Sequence, residues 1–179
     1  MKGGTLPTLI DQFDGPWRFL SNFYPVEINL YVASDGNVWA GNTHYAVPGT
    51  TYVIEQYGSV EHAYQAAKFL QSDLRDRFRY SGVTAGQAKR MGGGLKPRRR
   101  KDWEQISIAV MRDLLQQKFS GSILKRKLMS TFSAQLIEGN TWHDNFYGDC
   151  RCGSRPECEA PGENWLGKLL MELRRSYIS

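Results

Sequence analysis

The spacing of hydrophobic and polar residues predicts strands in the first third of the chain. Residues 26–32 (Val-Glu-Ile-Asn-Leu-Tyr-Val) alternate apolar and polar side chains, which predicts a strand with one buried face. Residues 34–37 (Ser-Asp-Gly-Asn) have the composition of a hairpin turn, and the β-branched and aromatic residues 51–57 predict another strand. Between them, residues 40–49 carry no clear pattern.

A helix is predicted over residues 59–70, because Ser59 is a suitable N-cap and apolar residues follow at helical spacing. The expected buried stripe consists of Val60, Ala63, Tyr64, Ala67 and Leu70. At about 100° per residue, Glu61, Gln65 and Lys68 fall together on a second face. Glu61 is expected in the first turn, where the helix dipole favours a charged carboxylate.

Further helices are expected downstream. Thr84 should cap a short helix that ends at Gly92–Gly94, a glycine run that does not match the phosphate-binding P-loop. Residues 104–119 predict a longer helix, with an apolar stripe of Ile106, Ala109, Val110, Leu114 and Phe119. Ser122 should cap the next helix, and residues 162–174 predict a final amphipathic helix.

Length and composition narrow the class of protein. The chain has 179 residues without repeat or linker, so we expect a single domain over residues 1–179. Aromatic residues make up 12% of the chain, which supports a packed protein. No apolar run approaches the roughly 18 residues of a membrane span, and residues 1–7 lack a secretory-type apolar run. We therefore expect a cytoplasmic protein that does not associate with membranes.

The charge balance favours partners that carry phosphate. The formal net charge is +5 and the pI about 9.2. Much of this excess is local, since residues 96–101 (Lys-Pro-Arg-Arg-Arg-Lys) place five cations in six positions. Three interpretations stay open for this basic run: a solvated loop, a phosphate clamp and a nucleic-acid contact.

The cysteines do not form a recognisable framework. Cys150, Cys152 and Cys158 are odd in number and clustered, which argues against structural disulfides. With His143 nearby a zinc site is conceivable, but the spacing lacks the paired Cys-x-x-Cys of zinc ribbons. Cys150, with His143 nearby in sequence, is also a weak candidate for a cysteine nucleophile. The Gly-x-Ser-x-Gly motif of α/β-hydrolases is absent. We expect neither a metal nor a cofactor.

Two segments interleave rings with short polar side chains. Residues 13–25 contain Arg18, Ser21 and Asn22 among aromatics, and residues 136–150 read Leu-Ile-Glu-Gly-Asn-Thr-Trp-His-Asp-Asn-Phe-Tyr-Gly-Asp-Cys. Neither has a helical or strand period, and each suits either a ligand-binding loop or a packed structural loop. Glu61 together with Asp144 would suit chemistry at a sugar C1, where two carboxylates stabilise a developing cation and activate water.

Taken together, the motifs resemble those of the YbiA-like N-glycosidase family, also called NADAR (NAD- and ADP-ribose-associated) domains. The most specific are Phe-Leu-Ser-Asn-Phe-Tyr-Pro at 19–25, Ser-Val-Glu-His-Ala-Tyr-Gln-Ala-Ala-Lys-Phe at 59–69, and Asn-Trp-Leu-Gly-Lys-Leu-Leu-Met at 164–171. The resemblance implies a compact, mainly helical α+β domain with a small β-sheet or hairpin region. It also implies hydrolysis of an N-glycosidic bond, in a riboflavin-pathway ribosylaminopyrimidine or in ADP-ribosylated guanine or nucleic acid.

The resemblance also implies roles for individual residues. Glu61 would stabilise the ribosyl cation or orient water, and Asp144 would be a second carboxylate near C1. Lys68 and Lys89 would bind phosphate or protonate the leaving group. The residues implied to hold the sugar, base and phosphate are Arg18, Phe19, Ser21, Asn22, Tyr64, Trp103, Asn140, Trp142, Asn145 and Gly148.

Two other functions fit the same sequence. One is a non-catalytic module that binds ADP-ribose or a nucleotide, and the other is a nucleic-acid-binding protein that uses Arg98–Lys101. The chain also departs from the family pattern, because residues 26–58 and 150–161 are longer than we expect. These departures bear on the substrate more than on the reaction.

Overall fold

The computed structural model describes residues 7–34, 36–40, 51–79 and 82–178. Helices predominate over short strands, which confirms the predicted α+β class. The chain divides into two compact units, one formed by Met1–Ser21 with Gly121–Ser179 (unit 1) and the other by Asn22–Ser120 (unit 2). The expectation of a single domain stays a prediction. Part of the predicted hairpin turn (Asp35) and most of residues 40–49 lie outside the described residues.

In chain order the strands are β1 Leu9–Ile10, β2 Ile28–Ala33, β3 Val38–Trp39, β4 Tyr52–Tyr57, β5 Gln135–Leu136, β6 Gly139–Asn140 and β7 Asp149–Cys150. The α-helices are α1 Val60–Ala66, α2 Ser72–Asp76, α3 Ala85–Gly94, α4 Trp103–Ser120, α5 Ser122–Met129 and α6 Trp165–Ser176. Single 3-10 turns lie at Gly15–Leu20, Lys96–Arg98 and Pro156–Cys158. In the described ranges, no helix is both long and apolar enough to span a bilayer.

Unit 2 contains an antiparallel sheet in the order β3-β2-β4, as the alternating pattern and the turn signal predicted. Ala33 N donates to Asn37 O (2.9 Å) across the β2–β3 turn. Gly36 adopts φ +83°, a conformation that costs glycine little and other residues more. Ile28 and Leu30, on the inward face of β2, are fully buried.

The helices of unit 2 follow the sequence patterns with two corrections. Ser59 caps α1 and Thr84 caps α3, the latter through a capping box with Gln87. Leu70 was predicted to be buried, but it is 41% exposed because α1 ends at Ala66 and the chain turns away. Ala109 in α4 is also exposed, since the buried face of that helix is centred on other residues, namely Ser107, Met111, Leu114 and Lys118.

Unit 1 is built from short parallel strand pairs and two helices. β1 pairs with β5, β6 pairs with β7, and α6 packs against both β5 and α5. Gly167 of α6 lies so close to Leu136 O that a Cβ has no room there. The prediction that Ser122 caps α5 was wrong, because the cap position is Gly121 and no side-chain cap forms.

A buried ion pair joins the sheet of unit 2 to α2. Arg75 donates to both carboxylate oxygens of Glu55 at 2.9 Å, and both side chains are less than 10% exposed. The same guanidinium donates to Phe69 O (3.3 Å) and Leu70 O (2.5 Å), the carbonyls that follow α1. Burial would raise the pKa of Glu55, but the hydrogen bonds and charge of Arg75 outweigh it and lower that pKa overall.

We expect Glu55→Gln to lower the free energy of unfolding by about 3 kcal/mol, because it leaves the Arg75 charge buried without its partner. Urea denaturation would measure the loss. Asp76→Asn is the matched control, since it removes an ion pair with Arg79 that is exposed on both sides. That change should cost less than about 1 kcal/mol. Equal losses in the two variants would contradict the importance of the buried pair.

The same ion pair predicts a pH dependence of stability. Because the folded-state pKa of Glu55 is lowered, its stabilisation is complete above the ordinary glutamate pKa and disappears as pH falls through the lowered value. The stability difference between the natural chain and Glu55→Gln should therefore stay constant from neutral pH down to about pH 5 and then shrink toward about pH 2. A difference that does not shrink in this acidic range would show that the carboxylate charge is not the stabilising feature.

Candidate functional site

The strongest candidate in unit 2 is a chain of polar side chains along α1. Gln65 Nε2 donates to Glu61 Oε1 at 2.7 Å, and Lys68 Nζ donates to Gln65 Oε1 at 2.6 Å. Glu61 and Gln65 are only 5% and 4% exposed. These contacts orient the amide, with its nitrogen toward the carboxylate and its oxygen toward the ammonium. The sequence placed these three residues on one face; the structure shows that they form a connected relay.

Aromatic rings surround the ammonium end of the Lys68–Gln65–Glu61 relay. Lys68 Nζ lies 5.1 Å from the centroid of the Tyr64 ring and 5.8 Å from that of Trp103. The two rings contact each other edge to face at 5.0 Å. Both aromatic side chains are almost fully buried. Ring faces attract cations, so this arrangement stabilises the charged form of a half-buried lysine.

Gly92 of α3 packs directly against the relay. A Cβ at this position would overlap Gln65 Oε1 and lie 2.8 Å from Gln65 Cδ. Only glycine therefore lets α3 approach α1 while the amide keeps both of its partners. Lys89, predicted to bind phosphate, lies one turn earlier on α3 and is half-buried. The glycine run at residues 92–94 is visible in the sequence, but its spacing did not predict that Gly92 packs against Gln65.

Asn22 is a buried polar residue next to the start of α1. It is 5% exposed, its backbone O accepts from Glu61 N (3.1 Å), and its Nδ2 donates to Met111 Sδ (3.5 Å). Among the described residues, Asn22 Oδ1 is a buried acceptor with no hydrogen-bond partner. Buried polar atoms are rarely left in that state without a bound water, ion or ligand. A donor group on a ligand beside Glu61 would satisfy this oxygen.

In unit 1, Asn140 organises the loop that follows β6. Its Oδ1 accepts from the backbone N–H groups of Trp142 (3.2 Å) and Asp144 (3.1 Å), and its Nδ2 donates to Asp144 O (2.8 Å). Asp144 Oδ1 in turn accepts from Tyr147 N at 2.9 Å. Asn140 and Asp144 thus shape this loop from within. A contact of either side chain with substrate stays a prediction.

A cavity of about 360 Å³ lies beside this loop within unit 1. Trp142 is 53% exposed at its edge, and Ser21 and Asn140 contribute to its wall. The lining includes three carboxylates, those of Asp11, Asp14 and Glu138. Arg151 is held there by Asp11 (2.9 Å) and Asp149 (3.0 Å). An exposed indole next to carboxylate acceptors suits a flat base or a sugar better than a phosphate.

Three other residues that were predicted to bind substrate have close contacts within the protein itself, namely Phe19, Gly148 and Asn145. Phe19 is 4% exposed, with Lys127 Nζ 5.7 Å from its ring centroid, while Arg18 of the same 3-10 turn is exposed. Gly148 lies so close to Glu138 O and Asn140 Nδ2 that a side chain has no room. Asn145 Oδ1 accepts from Cys150 N (2.8 Å), and its Nδ2 donates to Glu157 O.

The basic run is partly neutralised within the chain. Arg99 pairs with Glu104, and Arg100 pairs with Asp102 at 2.6 Å. Lys96, Arg98 and Lys101 are exposed. The run thus offers fewer unpaired cations than the sequence suggested. The structure does not select between a solvated loop, a phosphate clamp and a nucleic-acid contact.

Four residues that the sequence made conceivable as a zinc site, but whose spacing argued against one, converge in unit 1. His143, Cys150, Cys152 and Cys158 place their ligand-type atoms within 4.8 Å of one another. All three cysteines are free thiols. The Cys-x-x-Cys spacing of zinc ribbons places two ligands on one short turn, and these cysteines lack that spacing. Here one ligand, His143, comes instead from the loop before β7.

Comparisons with known proteins agree with the motifs. The family described as the NADAR domain matches residues 10–177. N-glycosidase YbiA of Escherichia coli strain K12 is 34% identical over 148 residues, which cover 82% of this chain and 86% of that protein. The NMR structure of the E. coli protein YbiA has a TM-score of 0.66 and 28% identity, and the match covers 99% of this chain and 89% of that one.

A longer relative points the same way. Riboflavin biosynthesis protein VVA0006 of Vibrio vulnificus strain YJ016 is 30% identical over 157 residues, which cover 87% of this chain and 34% of that protein. The similarity thus spans one part of a larger chain. The family resemblance that the motifs indicated is confirmed.

We expect Gly92→Ala to destabilise the fold by about 1–3 kcal/mol, because the new methyl group displaces the Gln65 amide from its partners. Gly93→Ala is the matched control on the same helix, since a Cβ there meets nothing within 4 Å. The control should raise stability by up to about 1 kcal/mol through helix propensity. Urea denaturation would measure the free energy of unfolding of both variants. Equal effects would contradict the tight contact between α1 and α3.

Proposed function

Since this chain belongs to the NADAR domain family, we propose that it is an N-glycosidase acting on a phosphorylated ribosyl or ADP-ribosyl substrate. Water would replace the base nitrogen at C1 of the ribose. The names of two relatives support the proposal, an N-glycosidase and a riboflavin biosynthesis protein. The proposed substrate classes are a ribosylaminopyrimidine of the riboflavin type and ADP-ribose attached to guanine or to nucleic acid.

The observation that carries the proposal is the buried carboxylate of Glu61 at the end of the relay. When the C1–N bond breaks, its electron pair leaves with nitrogen and positive charge develops on C1 and the ring oxygen. A carboxylate held in a low-dielectric site, already oriented by Gln65, stabilises that charge without first reorganising. Water then adds to C1 and loses a proton, while the leaving base gains one.

Cationic and aromatic groups near the relay suit the rest of such a substrate. The Lys68 ammonium, fixed by Gln65 and flanked by Tyr64 and Trp103, would bind phosphate or supply the proton for the leaving base. Lys89 would act in the same way. The Asn22 Oδ1 acceptor would take a hydrogen bond from a ribose hydroxyl or a base N–H.

Unit 1 carries groups of its own that suit a base or a sugar. Trp142 offers an exposed ring for stacking on a base, and the adjoining cavity offers carboxylate and amide acceptors. Asp144 remains our candidate for a second carboxylate at C1. The net charge of +5 is compatible with substrates that carry several phosphates, including modified DNA or RNA.

We expect Glu61→Gln to lower turnover by about a hundred- to ten-thousand-fold, because it keeps the shape and the acceptor for Gln65 but removes the charge. The assay incubates the full chain with ribosylaminopyrimidine phosphates, ADP-ribosylguanosine and ADP-ribosylated oligonucleotides. Mass spectrometry then identifies the released base and sugar. Glu159→Gln, at an exposed position, is the control and should keep full activity.

The outcomes separate catalysis from binding. Base release by the natural chain, lost in Glu61→Gln with urea stability unchanged, supports the proposed hydrolase. Tight binding of ADP-ribose without release of a base would instead identify a non-catalytic ADP-ribose or nucleotide reader. Full activity in Glu61→Gln would remove Glu61 from the catalytic role.

A further inference from the structure

We propose that His143, Cys150, Cys152 and Cys158 form a zinc-binding site in unit 1. The NADAR-type chemistry proposed above makes no use of these four residues. They converge from three places along the chain: His143 from the loop before β7, Cys150 from β7 itself, and Cys152 and Cys158 from residues 151–161, the excursion after β7. Three thiols and one imidazole are a ligand set found in structural zinc centres.

The distances between the side chains match those of a tetrahedral zinc complex. With Zn–S near 2.3 Å and Zn–N near 2.0 Å, neighbouring ligand atoms in a tetrahedron are about 3.5–3.8 Å apart. His143 Nδ1 lies 3.8 Å from Cys150 Sγ and 3.6 Å from Cys158 Sγ. All four ligand atoms lie within 4.8 Å of one another. A single ion at their centre would need only a small contraction of the cluster.

Hydrogen bonds orient one of the sulfur atoms, Cys152 Sγ, as in sites built for a thiolate. Ser154 donates to Cys152 Sγ from its backbone N (3.5 Å) and from its Oγ (3.2 Å). Gly153 makes the turn between them possible, since its φ of +64° is unfavourable for other residues. Two donors aimed at one sulfur favour its anionic form, and such second contacts stabilise metal ligands.

The backbone also brings β7 and the excursion together. Asn145 accepts from Cys150 N and donates to Glu157 O, so it clamps the strand that carries one ligand to the 3-10 turn that ends with another. His143 adopts φ 68°, an uncommon backbone conformation for a residue with a side chain. With this backbone conformation, the imidazole of His143 lies next to the sulfur atoms of Cys150 and Cys158.

The ligand chemistry selects zinc over other occupants. Three sulfur atoms and one nitrogen suit Zn²⁺, whereas Mg²⁺ and Ca²⁺ prefer oxygen. Common iron–sulfur clusters use four thiolates, one more than this group supplies. A single disulfide would leave the third thiol and the imidazole unused. Four protein ligands also complete the tetrahedron, so the ion would stabilise structure and leave no position for a reacting water.

Zinc would brace the loop that carries Trp142 and Asp144, because His143 lies between them in sequence. The excursion after β7 contains few apolar residues whose burial could hold it in place. The ion would hold it instead, at Cys152 and Cys158. Metal content can be measured without any substrate. Failure of the zinc proposal and failure of the glycosidase proposal are therefore distinguishable.

The first test is the metal content of the full chain, purified under reducing conditions and exposed to Zn²⁺ before desalting. Inductively coupled plasma mass spectrometry should find one zinc per chain, and the three thiols should become unreactive toward a thiol reagent. Replacement of zinc by Co²⁺ should give the intense d–d bands of a tetrahedral site together with a thiolate charge-transfer band. A reduced natural chain that takes up no stoichiometric zinc, or a cobalt spectrum of octahedral type, would overturn the proposal.

The second test uses variants of the half-buried ligands. Cys152→Ser and Cys158→Ser should each lose zinc at least tenfold more readily to a competing chelator, while Glu159→Gln on the same excursion retains it. Ser154→Ala keeps all four ligands and should weaken affinity by about tenfold. Undiminished zinc in both cysteine variants would exclude this site. If a variant unfolds, the metal content and cobalt spectrum of the natural chain still decide.

Discussion

Every residue of α1 is buried, so this helix has to satisfy its polar side chains inside unit 2. A buried polar group without a partner costs about 1–3 kcal/mol, and a short helix contributes little stability of its own. His62 meets this requirement by contacting Ser59 Oγ (2.8 Å) and Val83 O (2.9 Å). A carbonyl only accepts, so Nε2 donates a hydrogen bond to Val83 O. Glu61 and Gln65 meet it through the relay.

The neighbouring elements are arranged around the same requirement. Gly92 gives the Gln65 amide its space, and Arg75 fixes the carbonyls of Phe69 and Leu70 just beyond Lys68. Arg100 N also donates to Lys68 O (2.8 Å), which fixes the relay's last residue from another side. A site with its charged groups held in this way can stabilise charge on a substrate without rearranging. The contacts that hold α1 and its polar side chains in the fold therefore also provide the rigid charged groups that the proposed hydrolysis needs.

Local patterns predicted most elements because the physics involved is local. Alternation predicted β2, the Ser59 and Thr84 caps predicted the starts of α1 and α3, and helical spacing predicted the shared face of Glu61, Gln65 and Lys68. The errors at Leu70, Ala109 and Ser122 occurred where a helix end or a packing partner decided the outcome. The contacts by which the Asn140 side chain shapes its own loop were not visible in the sequence, because they depend on how that loop folds back.

The sequence by itself determined the family, the α+β class, and the residues most suited to chemistry on α1, since motifs and periodicity are properties of neighbouring positions. Only the tertiary structure decided that Gln65 links Glu61 to Lys68, that Gly92 must lack a side chain, and that Asn22 Oδ1 lacks a partner. It also brought His143 to three cysteines whose spacing had argued against a metal. Each of these facts depends on distances between atoms brought together by packing, which spacing along the chain does not encode.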